Sequence, residues 1–357
     1  MTLNDYYRTY SSDCTAGSSN QAFARFGEPA EHTGRISYRL SHGGERYSLL
    51  FSNRLDSTYS DGTASVANDI GGTWDILGMR VGLSGAWDAE PELWHTVTFD
   101  GEKTKRVSGA EPFFTDPIPL HAKGGEYLCY EITLFGDCFP CHDEIILNAR
   151  KKTADGGWVP DKRIPAPLMI GSDRPVEKRI GFLGDSITQG IGTEYESYTH
   201  WVAKTAQGLA DNVSVWDLGI GCARAYDAAS DQGWLARAKQ CDTVTVCFGV
   251  NDLFHARTVQ QITDDLRTIL VALKKAGCRT VLFTVPPFDM TGDLAKKWYA
   301  ANEIIRGELA ETADAVFDFA KVLGQKAPNE HMSVYGGHPN AEGCAVVAEA
   351  LLAANLL

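Results

Sequence analysis

The chain has 357 residues, of which 44% are hydrophobic and 22% charged. That length fits two ordinary domains or one large one, and the balance excludes a disordered or fibrous chain. Lys and Arg total 33 against 46 Asp and Glu, a formal charge of -13; such a field repels polyanions, argues against nucleic acid or an anionic membrane as partner, and tolerates a neutral substrate.

No apolar run approaches the ~20 residues of a membrane span. The opening residues, Met1 to Arg8, lack a basic segment followed by an apolar core, so no secretory signal is read and a cytoplasmic location is expected. Nine cysteines, an odd count, fit reduced thiols better than a paired disulfide framework.

From about Gly34 to Arg150 the pattern is short strands and frequent turns. Strands are predicted at Arg35–Leu40, Arg46–Phe51, Glu92–Phe99 and Glu126–Leu134, with turn pairs at Gly43-Gly44, Asp61-Gly62, Gly71-Gly72 and Asp100-Gly101. Short strands so punctuated suggest an antiparallel sandwich. Val159 to Lys178 then carries Pro160, Pro165, Pro167 and Pro175, a stretch read as neither helix nor central strand. The domain junction is placed there, giving residues 1–172 and 173–357.

After Arg179 strand and helix alternate. Strands are predicted at Arg179–Leu183, Val213–Leu218, Thr243–Phe248, Arg279–Val285 and Ala315–Phe317. Helices are predicted at Ser197–Ala210, Val259–Ala276, Leu294–Thr312 and Ala341–Ala354. In the second helix Val259, Ile262, Leu266, Ile269, Leu270 and Leu273 recur every three or four positions, as one buried face requires. This alternation implies a parallel sheet covered by helices, with reactive groups at the carboxyl ends of its strands.

Three segments at those ends carry the chemistry. Ile180 to Thr188 is an apolar strand that stops at Gly184, with Ser186 just beyond its tip. Alone, Ser186 reads as a helix cap. Thr245 to Asp252 is a second such strand, and Asn251 offers an amide donor; alone it reads as an Asx-turn. His338 lies in a loop before the last helix, where histidines are usually solvated. Together the three supply nucleophile, oxyanion donor and base, the parts that acyl transfer needs.

In these blocks the sequence resembles the SGNH (GDSL) hydrolase superfamily. Gly184-Asp185-Ser186-Ile187-Thr188 matches its first block, Gly249-Val250-Asn251-Asp252 its third, and His338-Pro339 its last, over about half the chain. The resemblance implies a flavodoxin-like three-layer α/β/α domain and hydrolysis of an ester with no metal or cofactor. It implies Ser186 as nucleophile and His338 as base, with the Ser186 N–H and the Asn251 amide in the oxyanion hole. Asp185 belongs to the motif as a structural residue that orders the turn.

Two departures stand out. Where the family's second block ends in an oxyanion-hole glycine, this chain has Cys222, with Gly221 one residue earlier; the Cys222 amide is the favoured donor and Gly221 the alternative. Where the family has Asp three residues before the histidine, this chain has Tyr335. Either a backbone carbonyl orients His338 in a Ser–His dyad, or a displaced acid, Glu330 or Asp318, reaches it. The dyad is favoured, as in members of a family of two-domain acetyl esterases acting on plant polysaccharides. The first domain resembles the antiparallel, jelly-roll-like β-sandwich that precedes the hydrolase domain in some bacterial GDSL esterases.

The expectation is a serine esterase removing short acyl groups, acetyl above all, from a small-molecule or oligosaccharide ester. The alternatives are a lipase or thioesterase with a longer acyl preference, and a non-catalytic carbohydrate-binding protein with a decayed site. Trp74, Trp87, Trp94 and Trp158 read as either sugar platform or sandwich core. Cys138-Phe-Pro-Cys-His142 reads as a loop with two thiols; its haem-attachment spacing and half zinc site are the lesser readings.

Overall fold

The computed structural model describes residues 1–56, 67–230, 232–324 and 331–357. The chain divides into two compact units, Met1–Leu55 with Asn68–Val176, and Asp56–Ala67 with Glu177–Leu357. Among the described residues no helix is long and apolar enough to cross a membrane, and all nine cysteines are free thiols.

The first unit is built of two antiparallel sheets. One joins Ser11–Ser12, Met169–Ser172, Gly43–Phe51, Phe113–Phe114 and Ile118–Lys123; the other centres on the long strands Ala22–Arg39, Tyr127–Cys141 and Trp74–Ser84. Alternation along Tyr127–Cys141 turns Leu128, Tyr130, Ile132 and Leu134 into the core. Phe51 of the first sheet meets Tyr130 of the second at a ring separation of 6.4 Å, so the core lies between them.

Several expectations are corrected here. Glu92–Phe99 shortens to a strand at Trp94–Thr96. The proline-rich stretch does hold an interior strand, Met169–Ser172, paired on both sides; it fits between Pro167 and Pro175, so no proline interrupts the ladder. Cys138 and Cys141 lie in a strand rather than a loop. Their spacing of three puts them on opposite faces, which separates them as joint ligands. Trp74 is core and donates from Nε1 to Asn53 Oδ1 at 2.9 Å. Trp94 and Trp158 are half-buried, their rings over the Arg35 guanidinium.

The second unit is a parallel sheet with helices between its strands. Its strands are β1 (Lys178–Gly184), β2 (Val213–Gly219), β3 (Thr243–Cys247), β4 (Arg279–Phe283) and β5 (Ala315–Phe317), in the order β2-β1-β3-β4-β5, all parallel. The strand order reverses at β1, so the crevice between the ends of β1 and β3 is a topological switch point. Phe182 and Phe283 share one face and carry Trp201. Leu183, Val246 and Leu282 point the other way and are equally buried. Both faces are therefore covered, and the strands read as continuous apolar runs.

The helices are α1 (Ser186–Gln189), α2 (Trp201–Gln207), α3 (Ala225–Ala228), α4 (Gly233–Ala238), α5 (Val250–Phe254), α6 (Val259–Lys275), α7 (Gly292–Arg306), α8 (Phe319–Val322) and α9 (Ala341–Ala353). In α6 a Thr258–Gln261 capping box starts the helix, and the predicted apolar stripe is buried from Ile262 onward. The predicted helix from Ser197 begins only at Trp201, because Glu196 and Tyr198 take φ of 60° and 51°. The predicted helix to Thr312 stops at Arg306, where Gly307 breaks it before a short 3-10 turn.

Candidate active site

The loop after β1 is shaped by close approach. A side chain on Gly184 would strike Thr188 and the Cys247 carbonyl, and one on Gly219 would strike the backbone of Gln189. Glycine at both positions lets α1 sit directly on the sheet edge. The helix is capped by Asp185, whose Oδ1 accepts from the Ile187 N–H at 3.0 Å. Ser186 is therefore not the cap, and its hydroxyl is released for another partner.

That partner is His338. Ser186 Oγ lies 2.8 Å from His338 Nε2, and His338 Nδ1 lies 2.8 Å from the Tyr335 carbonyl oxygen. A carbonyl only accepts, so Nδ1 carries the proton and Nε2 of the neutral ring accepts from Ser186. The Tyr335 side chain points to solvent, 79% exposed; its backbone does the contacting. Tyr335, Gly336 and Gly337 have φ of 45°, 76° and 134°, a left-handed run that turns the Tyr335 carbonyl back onto the ring. Burial pushes the His338 imidazole below its ordinary 6.5, and the Tyr335 carbonyl works against that shift.

The displaced acids fare differently. Asp318 caps α8 and binds Arg306 through both oxygens, at 2.9 and 3.0 Å. Burial raises its carboxyl, but the Arg306 guanidinium, the Lys321 N–H and the Thr284 hydroxyl outweigh this and hold it below 3.8. Glu330 lies outside the described residues. Among the described residues no carboxylate is hydrogen-bonded to His338.

Asn251 is the second residue of α5, which follows β3. Gly249, at φ 122°, leaves room for Val285, since a side chain there would meet its Cγ2 at 2.6 Å. Asn251 Nδ2 donates to the Ala223 carbonyl at 2.9 Å, and Asp252 Oδ2 accepts from the Ala225 N–H at 2.9 Å. The segments that follow β2 and β3 are thus bolted together, and the second Nδ2 hydrogen of Asn251 can serve a substrate oxygen. Cys222 takes φ of 61°, a conformation native to glycine, at the position where the sequence resemblance has one. Gly221 precedes it and is buried.

Beneath the nucleophile Asp185 and Asp252 are both buried. Burial raises each carboxyl to about 7, against the Ile187 N–H for Asp185 and the Ala225 N–H for Asp252; the Asp252 charge raises Asp185 further. A residue that sequence reasoning missed is Phe288, whose ring lies 5.0 Å from the His338 ring at 80°. Its only signal is an aromatic residue after Pro286-Pro287 at the end of a strand.

Residues 182–346 match the family model for the GDSL-like Lipase/Acylhydrolase family. The second unit carries a GDSL-like hydrolase domain. Its class of reaction is carboxylic ester hydrolysis. Among solved structures this domain is similar to a putative lipolytic protein of the G-D-S-L family from Desulfitobacterium hafniense DCB-2, at 21% identity and TM-score 0.44, over 51% of this chain and 100% of that one. It is also similar to Axe2, an acetylxylan esterase from Geobacillus stearothermophilus, at 18% identity and TM-score 0.42, over 50% and 94%. A third similarity is to the acetyl xylan esterase AlAXEase, at 20% identity and TM-score 0.41, over 49% and 98%. Comparison with curated proteins gives no match.

Proposed function

We propose that the GDSL-like domain is a serine esterase that removes short acyl groups, acetyl above all, from a neutral saccharide, using Ser186 and His338 as a dyad. The observation that carries this reading is the pair of 2.8 Å contacts running from the Ser186 hydroxyl through His338 to the Tyr335 carbonyl.

In the first half-reaction Ser186 Oγ attacks the ester carbon and its proton passes to His338 Nε2. The carbonyl oxygen becomes an oxyanion, met by the Ser186 N–H, the Cys222 or Gly221 N–H and the Asn251 amide. Losing one such donor typically costs ~2.7–4 kcal/mol. The carbon–oxygen bond to the alcohol then breaks, and the departing oxygen takes the proton from Nε2. In the second half a water gives its proton to Nε2 and attacks the acyl-enzyme. Ser186 leaves reprotonated, and the acid is released.

Neutrality of the substrate agrees with the charge of -13. The saccharide component rests on the resemblance to two-domain polysaccharide esterases, an analogy of family and domain order.

The test is hydrolysis of p-nitrophenyl acetate by the protein and by its Ser186→Ala variant. Loss of at least a thousandfold in the variant is expected, and equal rates would reject the esterase reading. Rates across acetyl, butyryl and octanoyl esters separate a deacetylase, fastest on acetyl, from a lipase or thioesterase.

A further inference from the structure

A carboxylate partner does two things for a catalytic imidazole: it fixes the tautomer and it holds the ring in place through a charge-assisted bond. The Tyr335 carbonyl does the first. It carries no formal charge, and neutral bonds are roughly half as strong as charged ones, so the second task falls to packing.

We propose that Phe288 is a positioning residue that holds the His338 ring against Ser186, in place of the missing carboxylate. The inference rests on the dyad reading above. Phe288 meets His338 edge to face at 5.0 Å. On its other side it meets Phe254 at 5.6 Å and 75°, three residues after Asn251 on α5. One ring thus ties the base to the helix that bears the oxyanion donor.

The backbone leading into Phe288 is anchored. Trp298 Nε1 donates to the Val285 and Pro286 carbonyls at 2.9 and 3.0 Å. Asn302 Oδ1 accepts from the Val285 N–H at 2.7 Å, and its Nδ2 donates to the Val285 carbonyl at 3.1 Å. Pro286 and Pro287 stiffen the backbone leading into Phe288. The loop also grips the histidine loop, because the Asp289 N–H donates to the Gly336 carbonyl at 2.5 Å. A side chain on Gly336 would come within 2.8 Å of Phe288 Cε1, and one on Gly337 within 2.8 Å of Phe288 Cα. The two glycines therefore serve a second purpose, letting the histidine loop close onto the phenylalanine. A site held this way from rigid elements keeps its geometry to the tolerance that catalysis needs, and displacement of about 1 Å can cost on the order of a hundredfold.

The experiment measures kcat and KM for p-nitrophenyl acetate in Phe288→Leu and Phe288→Tyr, with the unfolding midpoint of each. Phe288→Leu keeps the apolar bulk but loses the ring. Its kcat is expected to fall about tenfold or more with KM within about threefold, while Phe288→Tyr stays within about threefold of the parent in both. If Phe288→Leu does not fold, Phe288→Met replaces it with the same expectation. A kcat within twofold of the parent in the variant without the ring overturns the proposal. So does a raised KM at unchanged kcat, with preference moved to longer esters, which would make Phe288 a wall of the acyl site. Ser186→Ala separates the two levels: if it is inactive while Phe288→Leu is unimpaired, the positioning inference alone fails, and if it is fully active the dyad reading fails with it.

Discussion

His338 Nδ1 is bonded to the main-chain oxygen of Tyr335, while Asp318 spends both carboxylate oxygens on Arg306. The residue in the family's acid position thus contributes its backbone and not its side chain. Asp318→Asn is expected to leave kcat within about tenfold while costing about 1 kcal/mol of stability through the Arg306 pair. Glu330→Gln is expected to leave kcat within the same bound. A loss near the ~10⁴ seen when a triad acid is neutralised, in either variant, would assign the orienting role to that carboxylate.

Substitution at residue 335 should depend on backbone geometry and not on the phenol. At φ 45° the position suits glycine, so Tyr335→Gly and Tyr335→Phe are both expected to keep kcat within about threefold. Tyr335→Pro forces φ to about -65° and turns the carbonyl away from Nδ1. A loss of about 10²-fold or more is expected in steady-state hydrolysis. Full activity in the proline variant would detach the Tyr335 carbonyl from the mechanism.

Cys222 sits at φ 61°, where a side chain is strained and glycine is not. Cys222→Gly should therefore raise the unfolding midpoint slightly and keep kcat within about threefold, because only its amide is asked to act. Cys222→Ala should likewise retain activity. Abolished turnover in the alanine variant would point to the thiol.

The imidazole must be neutral to take the Ser186 proton. Burial pushes its titration below 6.5, so the acidic limb of kcat/KM on a neutral ester is expected below pH 6.5. The same shift means that the unfolded chain binds more protons than the folded one in that range, so His338 contributes a loss of stability as pH falls below 6.5. Titration of the His338 ring itself at or above pH 6.5, followed by NMR, would contradict a buried, carbonyl-bound base.

The alternation of apolar strands and amphipathic helices after Arg179 specified by itself a parallel sheet with its chemistry at one edge, because periodicity is a local property of the chain. Ser186, Asn251 and His338 stood out only as candidates, each by a short polar turn after an apolar run or before a helix, and it is the fold that brings Ser186 and His338 to 2.8 Å. Helix ends were less legible: the late start at Trp201 comes from left-handed backbone at Glu196 and Tyr198, which no residue type there announces. The interior strand Met169–Ser172 was hidden because its pairing partners lie far away in sequence. Which atom holds His338 was decided only in three dimensions. A carbonyl is present at every residue, so only the folding of the Tyr335–Gly337 turn could select that one. Phe288 met His338 by the same route, because contact between loops some fifty residues apart is a property of packing and leaves no local mark on the chain.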